Sequence, residues 1–569
     1  MRTKSWLLSA VLIALLALSA ACETEVELYC CSGPDCPDGV EQTCERWSET
    51  YPERTFCDQH GQYGEGIANT CIEPPAGRCA DDGDCAETGA PFCEVQEQVC
   101  RGCAGDGECA AHDAQTPICA DSGACVAACQ SSSECEEATA PLCLPAGYCA
   151  SCQQAADGDA ECGALDASAP FCIDDGSCGA CRENAHCSEG SQVCDEASHR
   201  CRPCEAHAEC DSGVCDLAAG GACVAEAEVI YVDGEASVAG DDCTREAPCT
   251  SFEAGLAAAT ATDRAHLVVA PGTYTETIAI SDATLTVIAY DVALTPADAD
   301  QPALQVGAPA ELAIEGLTLT GATGSGGDGL RCNPGAPRPE IRLYQVRIEG
   351  NDRRGIIADD CSLTLEQTHV TANQGTGISA TDGSLTLERS LVAANEGGGI
   401  RIEDADFSLR NNVIVHNGSS GDNGSSSNFG GVFITGSQAG DELGVFEFNT
   451  ISQNASGGEA SGILCFATGA LTFANNIVYG NAGDSQLGGD SCSHDYSNLE
   501  GSGDSDTNID QPPRFVDSES EFPDSDFRLQ ADSPCIDAAD PEADLDLDFD
   551  GNPRPRGDRH DIGAFEYSP

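Results

Sequence analysis

One stretch of this chain repeats every 22 residues, and that period limits what the chain can fold into more than any other feature. Leu343, Leu365, Leu387 and Leu409 occupy equivalent places. Five places on stand Ile348, Val370, Val392 and Ile414; eight places on stand Asn351, Asn373, Asn395 and Asn417. The frame survives longer insertions at Phe446, Ile451 and Asn454, and again at Phe473, Val478 and Asn481. A Gly followed by an apolar residue precedes each unit, as in Gly355-Ile356, Gly377-Ile378, Gly399-Ile400, Gly431-Val432 and Gly462-Ile463.

Self-similarity at a fixed period means stacked repeats. The runs between turns are short and alternate, as in Ser-Leu-Thr-Leu-Glu (384–388), which is strand periodicity. No helical pattern is long enough to cover a sheet, so each coil must bury its apolar face against the next. A parallel β-helix does this, with strands of successive coils about 4.8 Å apart. One Asn per coil then forms a structural ladder, each side chain bonding its neighbours' amides and the backbone freed at a turn.

The ends of this region carry resemblances. Tyr231-Val-Asp-Gly, an Ala-rich helix pattern after Thr250 and Ser251, and Leu267-Val-Val-Ala-Pro-Gly-Thr-Tyr274 follow in order. This resembles the entry to right-handed β-helices of the pectate-lyase-like superfamily, where a small helix plugs the open end. Ser533-Pro-Cys-Ile-Asp537 through Asp561-Ile-Gly-Ala-Phe-Glu-Tyr567 is similar to the tail of bacterial surface β-helix proteins termed choice-of-anchor Q. The resemblance implies an exported surface location and is nearly silent on activity.

The N-terminus reads as an export signal: Arg2 and Lys4, an apolar run from Trp6 to Leu18, then small residues before Cys22. The small residues resemble a bacterial lipoprotein box, with Ser19 where Leu is usual, and Glu23 following the cysteine implies the outer membrane. Lipidation of Cys22 is expected, so that membrane attachment is by lipid alone. Cleaved at residue 21, the chain keeps 23 arginines, no lysine and all 96 acids. Such a surface excludes nucleic acid as an electrostatic partner and removes every lysine-based mechanism.

Thirty of the 38 cysteines lie between Cys30 and Cys223, an exported pattern that reads as disulfides. An irregular module (22–76) precedes six four-cysteine units (77–225), which start at Cys79, Cys103, Cys129, Cys152, Cys181 and Cys204. Units this small cannot build an apolar core, so bridges replace it. They resemble the tandem cysteine-rich modules of myxobacterial surface proteins and are expected to form a semi-rigid stalk. The expected architecture is mainly β: signal peptide (1–21), disulfide-rich stalk, N-terminal cap (226–262), right-handed parallel β-helix (263–495) and C-terminal tail or cap (496–569). In the body, Cys243–Cys249, Cys332–Cys361 and Cys465–Cys492 are the expected bridges, leaving Cys535 alone and inert.

Candidate chemistry is acidic. Asp360, Asp382 and Asp404 stand five places after successive Gly-Ile starts, with Asp359, Glu403 and Arg401 beside them. Polysaccharide lyases of this fold hold calcium on stacked carboxylates with a basic residue nearby, whereas Asp also suits a turn whose backbone its side chain can bond. Asp546, Asp548 and Asp550 precede Gly551 with the opening spacing of a calcium loop, but Gly557 stands where such loops place Glu. The expected ligand is Ca2+, held weakly. The sequence thus reads as an exported surface protein, secreted if Cys22 is not lipidated, whose β-helix presents a face to an extracellular polysaccharide or a surface protein. A calcium-dependent polysaccharide lyase or glycoside hydrolase and a purely structural envelope protein are the alternatives. Mass spectrometry of the membrane fraction should find Cys22 acylated at the mature N-terminus; an unmodified Cys22 there would contradict the lipid anchor.

Overall fold

The computed structural model describes residues 44, 56–58, 70–72, 79, 82–85, 90–94, 99–187, 192–217, 220–421, 427–436, 444–467, 471–483, 485–489 and 491–568. Cys22 and the signal segment lie outside them. The chain divides into two compact units, the first ending at Arg202 and the second running from Pro203 to the C-terminus.

The first unit is a series of disulfide-built modules. In each, the third and fourth cysteines face each other across a two-stranded antiparallel ribbon, as Cys93 and Cys100 do. They bridge back to the first and second, as in Cys79–Cys93 with Cys85–Cys100 and Cys103–Cys119 with Cys109–Cys125. A further contact recurs with the cysteines. Three places before the second cysteine, a side chain accepts from the backbone N–H of the third: Asp82, Asp106, Ser132, Asp159 and Asn184 in successive modules, at 2.7–3.0 Å. In these four-cysteine modules, with loops of 13 to 20 residues, each bridge constrains the unfolded chain by about 3 kcal/mol, and this bond fixes the ribbon over it.

The second unit winds strands into three parallel sheets. Among the described residues the sheets hold 11, 10 and 9 strands, each strand pairing with its counterpart one coil away. The register is that of the repeat. Leu343, Leu365, Leu387, Leu409 and Phe446 form one inward column of the first sheet. Ile348, Val370, Val392, Ile414, Ile451 and Val478 form one of the second. All are buried in a single continuous core.

The asparagines form a ladder inside the turn from the second to the third sheet. Each Oδ1 accepts from both the backbone N–H and the Nδ2 of the Asn one coil before it, from Asn351 through Asn373, Asn395, Asn417 and Asn454 to Asn481, with Nδ2 distances of 2.8–3.0 Å. Gln486 Oε1 closes the end. The repeated Gly makes room for this: a Cβ on Gly377 would sit 2.7 Å from Asn395 Nδ2 and 2.8 Å from the Gly399 carbonyl. A second ladder, unmarked by any constant residue type, runs inside the turn from the first to the second sheet through Thr368, Ser390, Asn412, Asn449, Asn476 and Ser497.

The corners share another feature. Gln345, Gln367, Arg389, Asn411, Phe448, Asn475 and Tyr496 take left-handed backbone, φ 46–59°, at the first-to-second corner. Ala372, Ala394, His416 and Gln453 do so at the second-to-third corner, and Asp360, Asp382 and Asp404 at the third-to-first. A sharp turn with one left-handed residue per coil lets strands stack without a longer loop.

The N-terminal end is covered by the helix Phe252–Thr262, capped by Ser251 Oγ on the Ala254 N–H and by both Glu276 carboxylate oxygens on the N–H groups of Phe252 and Glu253. The compact unit that contains the body also takes in the sixth cysteine unit, which packs on the first coils. Val214 joins Val229, Tyr231 and Ile288 in one buried cluster, Tyr231 donates to the Ser212 carbonyl at 2.9 Å, and His207 Nε2 meets Glu315 at 2.8 Å.

The tail is a strap laid along the flank. Phe515, Phe527, Ile562, Ala564 and Phe565 pack on the outward residues Val413, Val415 and Ile477 of the second sheet. The left-handed corner anchors it: Asn411 donates to the Leu547 carbonyl and accepts from Arg554, and Asn475 Oδ1 accepts from the Asp540 N–H. Arg554 lies over the Phe448 ring and pairs with Glu566 at 2.8 Å, both side chains fully buried. Burial raises the Asp561 carboxyl beside this pair to about 6.

Asn395→Ala, in the middle of the ladder, should cost about 1–3 kcal/mol, since amide groups on both neighbouring coils lose a partner. Chemical denaturation measures this, and an unchanged midpoint would contradict the ladder.

Candidate functional site

The outer face of the third sheet carries the side chains that the coil interior leaves out. Two columns cross the coils there. One runs Ile357, Ser379, Arg401, Phe433 and Leu464; the other runs Asp359, Thr381, Glu403, Thr435 and Phe466. The alternation that buries Ile378, Ile400 and Ile402 puts these residues outward.

At the earlier coils this face forms a groove of about 680 Å³, walled on one side by Asp352, Arg353 and Arg354 from the turn and floored by Ile357, Asp359, Thr381, Arg401 and Glu403. Arg401 pairs with Glu403 at 2.6 Å and lies over the Phe433 ring, 5.1 Å to its centroid. Phe433 in turn meets Phe429 at 5.7 Å and Phe466 at 6.4 Å. Phe466 is 41% exposed, so the aromatic run reaches the surface. Below the groove wall, the fully buried Asp328 carboxylate accepts from both Arg331 and Arg354 and holds the two guanidinium groups together. Arg353 donates to the Ser325 carbonyl.

The carboxylates expected to hold calcium are distributed otherwise. Asp360, Asp382 and Asp404 are not on the groove floor; they are the left-handed residues of the third-to-first corner. Asp360 pairs with Arg338 at 2.6 Å, Arg338 also donates to the Asp382 carbonyl, and the Asp404 carboxylate covers Gly436 of the next coil. Among short polar residues Asp tolerates this backbone best after Asn and Gly, which is a sufficient reason for the column. In the tail, Asp548 is buried and accepts from the Asn552 and Glu566 N–H groups. Asp550 pairs with Arg528 at 2.8 Å, and Asp546 accepts the Arg554 N–H through its carbonyl. Among the described residues, no three carboxylates bring oxygens within 4.8 Å of one another; the clusters that close are cysteine sulfurs already in disulfides.

The remaining sequence candidates are dispersed. Cys243–Cys249, Cys332–Cys361 and Cys465–Cys492 are bridged, and Cys535 is buried beside Asn498, where burial pushes its thiol up to about 12. His369 sits against Arg347, and His416 meets Ser525 of the strap. The sequence marked Arg401 and Glu403 but not Phe433 or Phe466, because insertions between coils break the 22-residue frame there.

A family model described as "Right handed beta helix region" matches residues 301–439 and 345–498. No curated protein matches the chain. Among solved structures, the crystal structure of pectate lyase Pel9A is similar at 15% identity and a TM-score of 0.42, covering 60% of this chain and 100% of that one. With the family match and three sheets of parallel coils, the body is a right-handed parallel β-helix, preceded by a disulfide-rich N-terminal region.

If Asp382 serves the turn, Asp382→Gly should leave stability within about 0.5 kcal/mol or raise it, because Gly adopts the left-handed backbone freely. A clear fall in the thermal midpoint would assign the carboxylate a partner of its own.

Proposed function

We propose that this protein binds an extended carbohydrate along the outer face of the third sheet. The observation that carries the reading is the run Arg401–Phe433–Phe466, bordered by Glu403, Asp359 and the hydroxyls of Thr381 and Thr435. Aromatic rings offer flat apolar surface to the C–H faces of sugar rings, while paired acid and guanidinium groups beside them hydrogen-bond hydroxyls. The coils repeat about every 4.8 Å along the axis, so a chain lying across them meets a new outward residue at each step. The groove's guanidinium groups already serve acids or carbonyls, which favours holding a ligand over abstracting a proton from one.

In this reading the β-helix is displayed outside the cell on a disulfide-stapled stalk, attached to the outer membrane through an acylated Cys22. The export pattern of the N-terminus and the pairing of cysteines in the modules support it.

A glycan array probed with the full chain, with and without calcium, should return one class of retained polysaccharide. Phe466→Ala should then weaken that binding about tenfold, or about 1.4 kcal/mol, and Arg401→Ala should weaken it further. Retention of no glycan, or equal retention by both variants, would overturn the reading.

A further inference from the structure

The strap leaves a second kind of site. Between it and the outer face of the second sheet lies a pocket of about 310 Å³. Its floor is Leu391, Val413 and Val415, from two adjacent coils; its walls include Phe522, Phe549 and Phe565 of the strap. Phe522 and Phe549 are only half-buried although they belong to the strap's apolar cluster, so apolar ring surface is left for a guest to cover.

The mouth offers little to an ion. Arg528 pairs with Asp550 at 2.8 Å and with Asp526 at 3.4 Å, and its guanidinium lies over Phe565 at 5.5 Å. Ser525 Oγ is already bonded to His416 Nε2 at 3.1 Å. Arg528 and the two carboxylates at the entrance are therefore already engaged with one another, and a charged guest would enter an apolar interior without a partner. Length excludes an extended chain: a floor of two coils is about one strand spacing deep. The apolar floor and walls favour an apolar guest, and aromatic walls favour a ring in offset or edge-to-face contact.

We propose that this pocket is a binding site for a compact, uncharged, ring-bearing small molecule, separate from the groove on the third sheet and independent of what the groove binds.

The test is a fluorescence titration of the full chain with the uncharged probe N-phenyl-1-naphthylamine, competed by tetralin. Saturable binding at one probe per chain is expected, with a raised thermal midpoint. Leu391→Phe fills the pocket from its floor and should lower probe affinity at least about tenfold. Should that variant fail to fold, Ser525→Phe blocks the mouth from the solvent side and should do the same. Val238→Ser, at an exposed apolar position outside the pocket, should bind the probe as the wild type does. Absence of saturable binding, undiminished binding by a folded pocket variant, or stronger displacement by dodecanol than by tetralin would overturn the assignment.

Discussion

From Asn351 to Asn481 each coil of this protein depends on a buried amide that a neighbouring coil engages. An Asn side chain inside an apolar interior is costly unless its donors and acceptor are all engaged. Here each Asn accepts from one neighbouring coil, and its Nδ2 donates both to the other neighbour's Oδ1 and to a main-chain carbonyl, as Asn395 does with Asn417 and Val370. The arrangement holds in one register. A slip of one residue would turn the Leu365 and Leu387 column to solvent and leave the ladder unpaired. The Gly that begins each third-sheet strand belongs to the same constraint, since Asn nitrogen and backbone oxygen fill the place a side chain would take. The 22-residue period thus returns leucine, glycine and asparagine to the same three places on each coil.

What the sequence could reveal follows from this. The leucine and asparagine columns were legible because each keeps one residue type at a spacing that is constant over four coils. The second ladder was not, because threonine, serine and asparagine all supply the one oxygen it needs, and Thr368, Ser390 and Asn412 share no letter. The aspartate column was visible as a column, but the backbone angle its members share, φ near 50°, is one that no spacing displays. Glutamine, arginine, alanine and histidine hold the same conformation at the other corners, so residue type there reports tolerance rather than chemistry.

The groove shows the opposite case. Its residues come from alternate outward positions that the core does not restrict, and the coils beyond Arg401 are longer than 22 residues. Phe433 and Phe466 stand 32 and then 33 places on from Arg401 and Phe433, so their alignment with Arg401 and Glu403 is created only when the sheet pairs its strands. Insertions leave the interior frame intact by bulging at corners, and the outward face varies freely as a result. A solenoid of this type keeps its fold in one set of positions and its specificity in another.

The strap alters how such a stack can come apart. Coils held only by their neighbours fray from an open end, one rung at a time. Here a single segment touches the outward residues of four successive second-sheet strands, from Leu391 through Val413 and Thr450 to Ile477, and is fastened through an ion pair with no solvent around it. The last rungs can leave only after the clasp has been lifted from all of them, so the C-terminal end of the solenoid opens as a block.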